Sequence, residues 1–141
     1  QLFEDHFQTA GQLDTSGVEL ARGLEMILEQ LVAVVTSPRH VSFYRLVVNG
    51  SAHVPQVGQT WYEHGPKFWH QLIANLLQEQ RQRGAIATDA STSEVPAILF
   101  DALFSHLTTR TVMLGQTCTA KAFQPMIQEL IALVMRRLQV A

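Results

Sequence analysis

The chain has 141 residues, enough for one domain to bury roughly two thirds of its unfolded surface without a disulfide or a metal. Charged residues make up 16% and apolar residues 47%, which excludes a chain kept unfolded by its own charge. A net charge of −2 with only 10 Lys and Arg excludes a broad electrostatic footprint for nucleic acid and a basic helix lying on a membrane.

No apolar run reaches the ~18 residues of a spanning helix. No charged-then-apolar leader opens the chain, and the single cysteine, Cys118, cannot close an internal disulfide. The expected location is therefore cytoplasmic. Gln1 begins in a helical pattern without Met, so the sequence reads as a fragment.

In chain order, Leu2, Phe3, Phe7 and Ala10 recur near helical spacing over Leu2 to Leu13. Ser16 and Glu19 have the spacing of a capping box, in which each side chain satisfies a backbone N–H of the other end of the first turn. A helix is predicted from there to about Thr36, with Val18, Leu20, Leu24, Ile27, Leu28, Leu31, Val32 and Val35 forming an arc wide enough for a central position. Ser37-Pro38 restarts the chain, the serine as cap and the proline in the first helical position. Val41, Tyr44, Val47 and Val48 follow at helical spacing; a strand over Leu46–Val48 is the alternative on propensity alone. The next stripe is Val57, Trp61, Phe68, Leu72, Ile73, Leu76 and Leu77, interrupted at Gly65-Pro66 and stopped at Gly84.

Ser91 and Glu94 suggest a second capping box. From Val95 to about Leu114 the chain is apolar almost all round, the pattern of a helix buried on more than one side. After a break at Gly115 to Thr119, Phe123, Met126, Ile127, Leu130, Ile131, Leu133, Val134 and Leu138 mark the last helix. The predicted fold is all-α, one domain over residues 1–141 with about six helices.

Phe43 to Ile86 holds both tryptophans and both tyrosines, and the other elements are expected to lie around it. The set Phe43, Tyr44, Trp61, Tyr62, Phe68 and Trp69 is either plain core or the lining of a small-molecule pocket, because a broken helix leaves space that a straight one fills. Asn49, His53, His70, Asn75 and Asp101 are the nearby polar candidates. Asp101 is read either as solvent-facing beside Thr108 or as a buried carboxylate paired with Arg45 or a ligand cation. The histidines His6, His40, His53, His64, His70 and His106 show no metal-ligand spacing, so no metal or other cofactor is expected. No nucleophile elbow or triad pattern is present, and Cys118 has no activating neighbour in sequence, so no catalytic residue is assigned.

Four stretches resemble the C-terminal domain of tetracycline-repressor (TetR) type regulators. Leu2-Phe3-Glu4 resembles the start of the helix joining the DNA-binding head to the core. Phe43-Tyr44-Arg45-Leu46-Val47-Val48 through His53-Val54-Pro55 is similar to the family's helix ending in a proline corner. Trp61-Tyr62-Glu63-His64-Gly65 resembles the aromatic segment that follows, and Leu76-Leu77 through Arg83-Gly84-Ala85-Ile86 its leucine pair and Arg-Gly ending.

The resemblance implies a regulatory domain without enzymatic activity. It would bind a small hydrophobic or aromatic effector and control a helix-turn-helix head upstream of this chain, as a repressor. Effector binding would shift the helix beginning near Leu2 and move two heads off the spacing of successive major grooves, about 34 Å, with a coupling of about 1–3 kcal/mol. The implied effector site is Phe43, Val47, Trp61, Tyr62, Phe68, Trp69, Ile73, Asp101 and Phe104. The implied homodimer interface, a four-helix contact of the last two helices, uses Phe100, Leu103, Leu107, Met126, Leu130, Leu133, Val134 and Arg137. DNA is a partner only through the upstream head, and no membrane is. The alternatives are a helical-bundle enzyme or carrier using the same pocket, and a dimerisation module with a filled core.

Overall fold

The computed structural model describes residues 13–138. The helix expected over residues 2–13 lies outside them but for Leu13. Six α-helices are present among the described residues: α1 (Leu20–Val35), α2 (Pro38–Ser51), α3 (Pro55–His64), α4 (Pro66–Gln82), α5 (Val95–Thr108) and α6 (Gln124–Leu138). Leu46–Val48 is helical, so the strand alternative fails.

The centre is α1. Leu24, Ile27, Leu28 and Val32 have no exposed surface, and α1 packs against α4, α5 and α6. At Gly23 the approach to α4 is so close that an added Cβ would stand 2.8 Å from Leu76 Cδ2. On the far side Glu25 meets the Gln128 amide of α6 and Arg22 of its own helix; these two, the amide first, hold its carboxyl below the usual carboxylate range.

The helix ends follow local chemistry. Ser37 Oγ accepts from the His40 N–H at 3.2 Å, with Pro38 in the first turn, as the sequence predicts. Neither capping box forms. Ser16 donates both its N–H and its hydroxyl to Asp14 Oδ1, a tight turn that Gly17 leaves with φ +75, so α1 starts only at Leu20. Ser91 pairs with Ser93 instead of the helix, and Glu94 caps α5 without a side-chain bond. Gly84 ends α4 with φ +78: its N–H reaches Arg81 O and that of Ala85 reaches Gln80 O, which satisfies two carbonyls the helix would leave open. Arg81 then holds the following loop through Ala90 O at 2.6 Å.

The apolar run Val95–Leu114 is not one helix. Thr109 and Thr111 donate back to Ser105 O and Leu107 O, hydroxyl bonds that loosen the ladder, and the chain widens into a π-turn at Thr109–Met113 before stopping at Gly115 with φ +65. Arg45 of α2 donates to Val112 O of this turn at 3.0 Å.

Leu103 has no exposed surface and sits on α5 against α1. Leu103→Ala should cost about 2–5 kcal/mol through lost burial and the cavity left behind, read as a fall in the urea midpoint at unchanged slope. A loss under about 0.5 kcal/mol would mean that α5 is not seated as described.

Candidate functional site

Five helices build an aromatic chamber. The last turn of α1 supplies Leu31, Val34 and Val35, and α2 supplies His40. Trp61 comes from the end of α3, Gly65, Pro66 and Trp69 from the joint and first turn of α4, and Phe100 and Phe104 from α5. Side chains four apart share a helix face, which is why His40 and Tyr44, and Phe100 and Phe104, arrive as pairs. Phe100 and Phe104 are stacked with centroids 5.2 Å apart. Tyr44 meets the edge of Phe104 at 5.7 Å and of Trp61 at 5.9 Å. His40 stacks on Tyr44 at 6.0 Å and stands perpendicular to Phe104.

The chamber is almost closed. Its empty space is about 250 Å³ counting the mouth, but only about 10 Å³ admits a water-sized occupant, about the least that one water needs. Its walls differ in how firmly they are held. Trp69 is 1% exposed, whereas α3 contains no buried residue and touches the chamber chiefly through half-buried Trp61. The joint beside it is abrupt. Gly65 has φ −107 and ψ −93, yet its N–H still reaches Trp61 O and its carbonyl still accepts from the Trp69 N–H. Two helices therefore meet at one non-helical residue with no linker.

Of the residues expected at the effector site, Trp61, Trp69 and Phe104 line the chamber. Phe43, Val47 and Ile73 are buried but do not line it, and Phe68 packs edge-on to Trp69 from outside. Tyr62 is 46% exposed on the outer face of α3. Asp101 is exposed and faces His70 Nε2 at 3.6 Å, not Arg45. The solvent-facing reading of Asp101 therefore holds, because a carboxylate in the apolar wall would lose its hydration uncompensated.

His40, Leu31, Val34, Val35, Gly65 and Pro66 were missed, and Phe100 was assigned to the wrong role: it is 3% exposed and forms a chamber wall. The signal for His40 was in the sequence. Ser37-Pro38 places it in the first turn of α2, four residues before Tyr44.

The expected interface residues divide. Leu103 and Leu107 have no exposed surface within a single chain, so the placement of both, with Phe100, in a contact with a second copy is corrected. Leu133 is 54% exposed and Leu130 and Val134 are buried beneath it. Met126 is half-buried and Arg137 exposed on the same helix. Leu133, Val134 and Arg137 share an apolar groove with Val95 and Ile98 of α5, and Ile98, 57% exposed, was not foreseen. Among the described residues, no group of three or more His, Cys, Asp or Glu could hold a metal ion, and no helix is long and apolar enough to cross a membrane.

Residues 22–139 match a protein family described as the C-terminal domain of AefR-like transcriptional repressors. No curated protein matches the chain. Among solved structures, a protein assigned to the TetR family of transcriptional regulators, from Mesorhizobium loti MAFF303099, is similar with a TM-score of 0.79 and 18% identity. The match covers 99% of this chain and 69% of that one, and at this identity it speaks for the fold.

The two tryptophans differ in exposure, so they should be separable in solution. Acrylamide quenching of the native chain should fall sharply in Trp61→Phe and stay nearly unchanged in Trp69→Phe. Equal quenching of both indoles would contradict the geometry of the chamber.

Proposed function

This chain belongs to the family of AefR-like transcriptional repressor C-terminal domains, and on that premise we propose that it senses a small apolar effector and governs DNA binding by a TetR-type repressor. One observation carries the reading: an aromatic chamber whose outer wall, α3, buries none of its own residues. A segment with so little buried apolar surface opens at low free energy. Swinging α3 about Gly65 would withdraw Trp61 and make room for a ligand while the packing of α1 against α4, α5 and α6 stays in place.

The route to a DNA-binding head runs along α1. Its last turn lines the chamber, and its first turn follows directly on residues 13–19, which Gln80 ties down through Val18 O at 2.8 Å. A ligand pressing on Leu31, Val34 and Val35 would displace α1 as a rod, since a helix transmits an axial push better than it bends. The head itself would be an N-terminal helix-turn-helix domain.

The second part of the proposal is a homodimer. Ile98 and Leu133, each more than half exposed, flank one groove between α5 and α6 that Glu94 and Arg137 also line. Two copies related by a two-fold axis would bring the same apolar strip together and set charges of opposite sign at its rim.

Light scattering at micromolar concentration should therefore give twice the chain mass. Leu133→Glu should return a monomer with its helical circular dichroism intact, because Leu133 stabilises no core. A monomeric native chain, or a Leu133→Glu variant that stays dimeric, would refute this interface. For the pocket, toluene should raise the melting temperature and change tryptophan emission, and Trp61→Ala should alter the affinity while leaving the fold unchanged. No response to toluene at millimolar concentration would favour a filled core.

A further inference from the structure

We propose that Gln80 is a positioning residue that carries a change in the chamber to the turn at which the chain enters α1, so that α4 relays the occupied state together with α1. The inference rests on the chamber being the effector site and adds the residue through which it reports. Three observations lead to it.

The first is a shared face. Trp69, Ile73, Leu76 and Gln80 follow one another at helical spacing along α4, and all four are buried. At about 3.6 residues per turn, Trp69 and Gln80 are about three turns apart, so both side chains leave the same face of the helix roughly 16 Å from each other. Trp69 lines the chamber, Leu76 closes on Gly23 of α1, and Gln80 lies beyond that contact. A ligand pushing Trp69 outward turns α4 about the Leu76 contact, because a densely packed helix passes strain along its length.

The second is a polar bond between distant segments. Among the described residues Gln80 is one of three buried polar side chains. Thr111 uses its hydroxyl on Leu107 O, one turn back in its own stretch of chain. Gln80 instead donates from Nε2 to Val18 O at 2.8 Å, across 62 residues of sequence. Leaving a buried amide without its partner costs free energy, so Val18 follows a small displacement of Gln80 and the bond survives.

The third is the segment that Gln80 holds. Ser16 is bonded twice to Asp14 Oδ1, the Val18 N–H reaches Thr15 O at 3.3 Å, and Gly17 turns with φ +75. A turn closed on itself in this way moves as a unit with the atom by which it is held. α1 reaches it through the chain and α4 through Gln80, so its position reads the displacement of one helix against the other.

The test is titration of this chain with toluene, with tryptophan emission reporting occupancy of the chamber and amide NMR reporting Thr15 to Val18. In the native chain those amide signals should shift in step with the emission. Gln80→Met keeps the length of the side chain and removes the donor. It should bind toluene within about twofold of the native affinity, because the chamber is distant from the substitution. Its amide shifts at saturation should be at least about threefold smaller, since α4 no longer grips the turn. A purely structural Gln80 would lower the urea midpoint and leave the shift per bound toluene unchanged, which would overturn the proposal. If the variant does not fold, the Gln80 side-chain amide signal of the native chain should move over the same toluene concentrations, and a stationary signal would overturn the proposal. Saturation with toluene and no shift at Thr15 to Val18 would overturn the relay and leave the chamber standing. Failure of toluene to bind would overturn the chamber reading and the relay with it.

Discussion

The burial of α1 is the constraint on which the other elements depend. Eight of its sixteen residues are buried, from Leu20 to Val35, more than a helix packed on one side can hide. At roughly 1.5–3 kcal/mol for each large apolar side chain removed from water, leaving that arc uncovered would be costly. Covering that arc takes three neighbours, and α4, α5 and α6 are the three. Gly23 lets α4 come close enough, at Leu76, for the packing to be dense. The chamber is a by-product of this arrangement. Where the last turn of α1 runs beyond the close contact with α4, Leu31, Val34 and Val35 are left for α2, α3 and the aromatics of α5 to cover.

Cover at that end is of a different kind. Aromatic rings, stacked or edge to face at centroid distances of 5 to 6 Å, close the space by shape around one histidine. Such contacts are individually weak and not tied to one geometry. Beside them, Gly65 joins α3 to α4 at a single non-helical residue. The chamber is thus backed by fully buried side chains on the side of α1 and α4 and by none on the side of α3, the asymmetry on which the proposed opening rests.

Much of the fold was legible from periodicity. The Ser37-Pro38 start, the Gly84 stop and the central place of α1 could be read because each rests on chemistry within a few residues. The first capping box failed for a local reason. A spacing of three residues is necessary for the motif but does not outcompete a stronger local bond, and Asp14 offered Ser16 one. The aromatic-rich stretch was also misjudged as the organising centre. Density of aromatics marks where large side chains are, whereas centrality follows from how many faces of a helix are apolar, and on that measure α1 leads. Phe100, Leu103 and Leu107 were read as surplus apolar surface for a second copy. The periodicity of α5 shows that it is apolar on several sides, but which side meets α1, which the chamber and which the solvent is decided by helices distant in sequence.

The contrast between α3 and α1 has an evolutionary side. A wall residue on α3 stabilises no core, so its replacement falls within the small effects typical of surface positions, about 0.5 kcal/mol. A replacement at Leu31 or Val35 would disturb the chamber and the centre of the fold together, since both are 1% exposed. Drift in this lineage therefore has an inexpensive route at the mouth and a prohibitive one at the floor. Under the proposed sensing role, a scaffold built this way could change what it recognises many times over while the helix that would carry the signal stays the same.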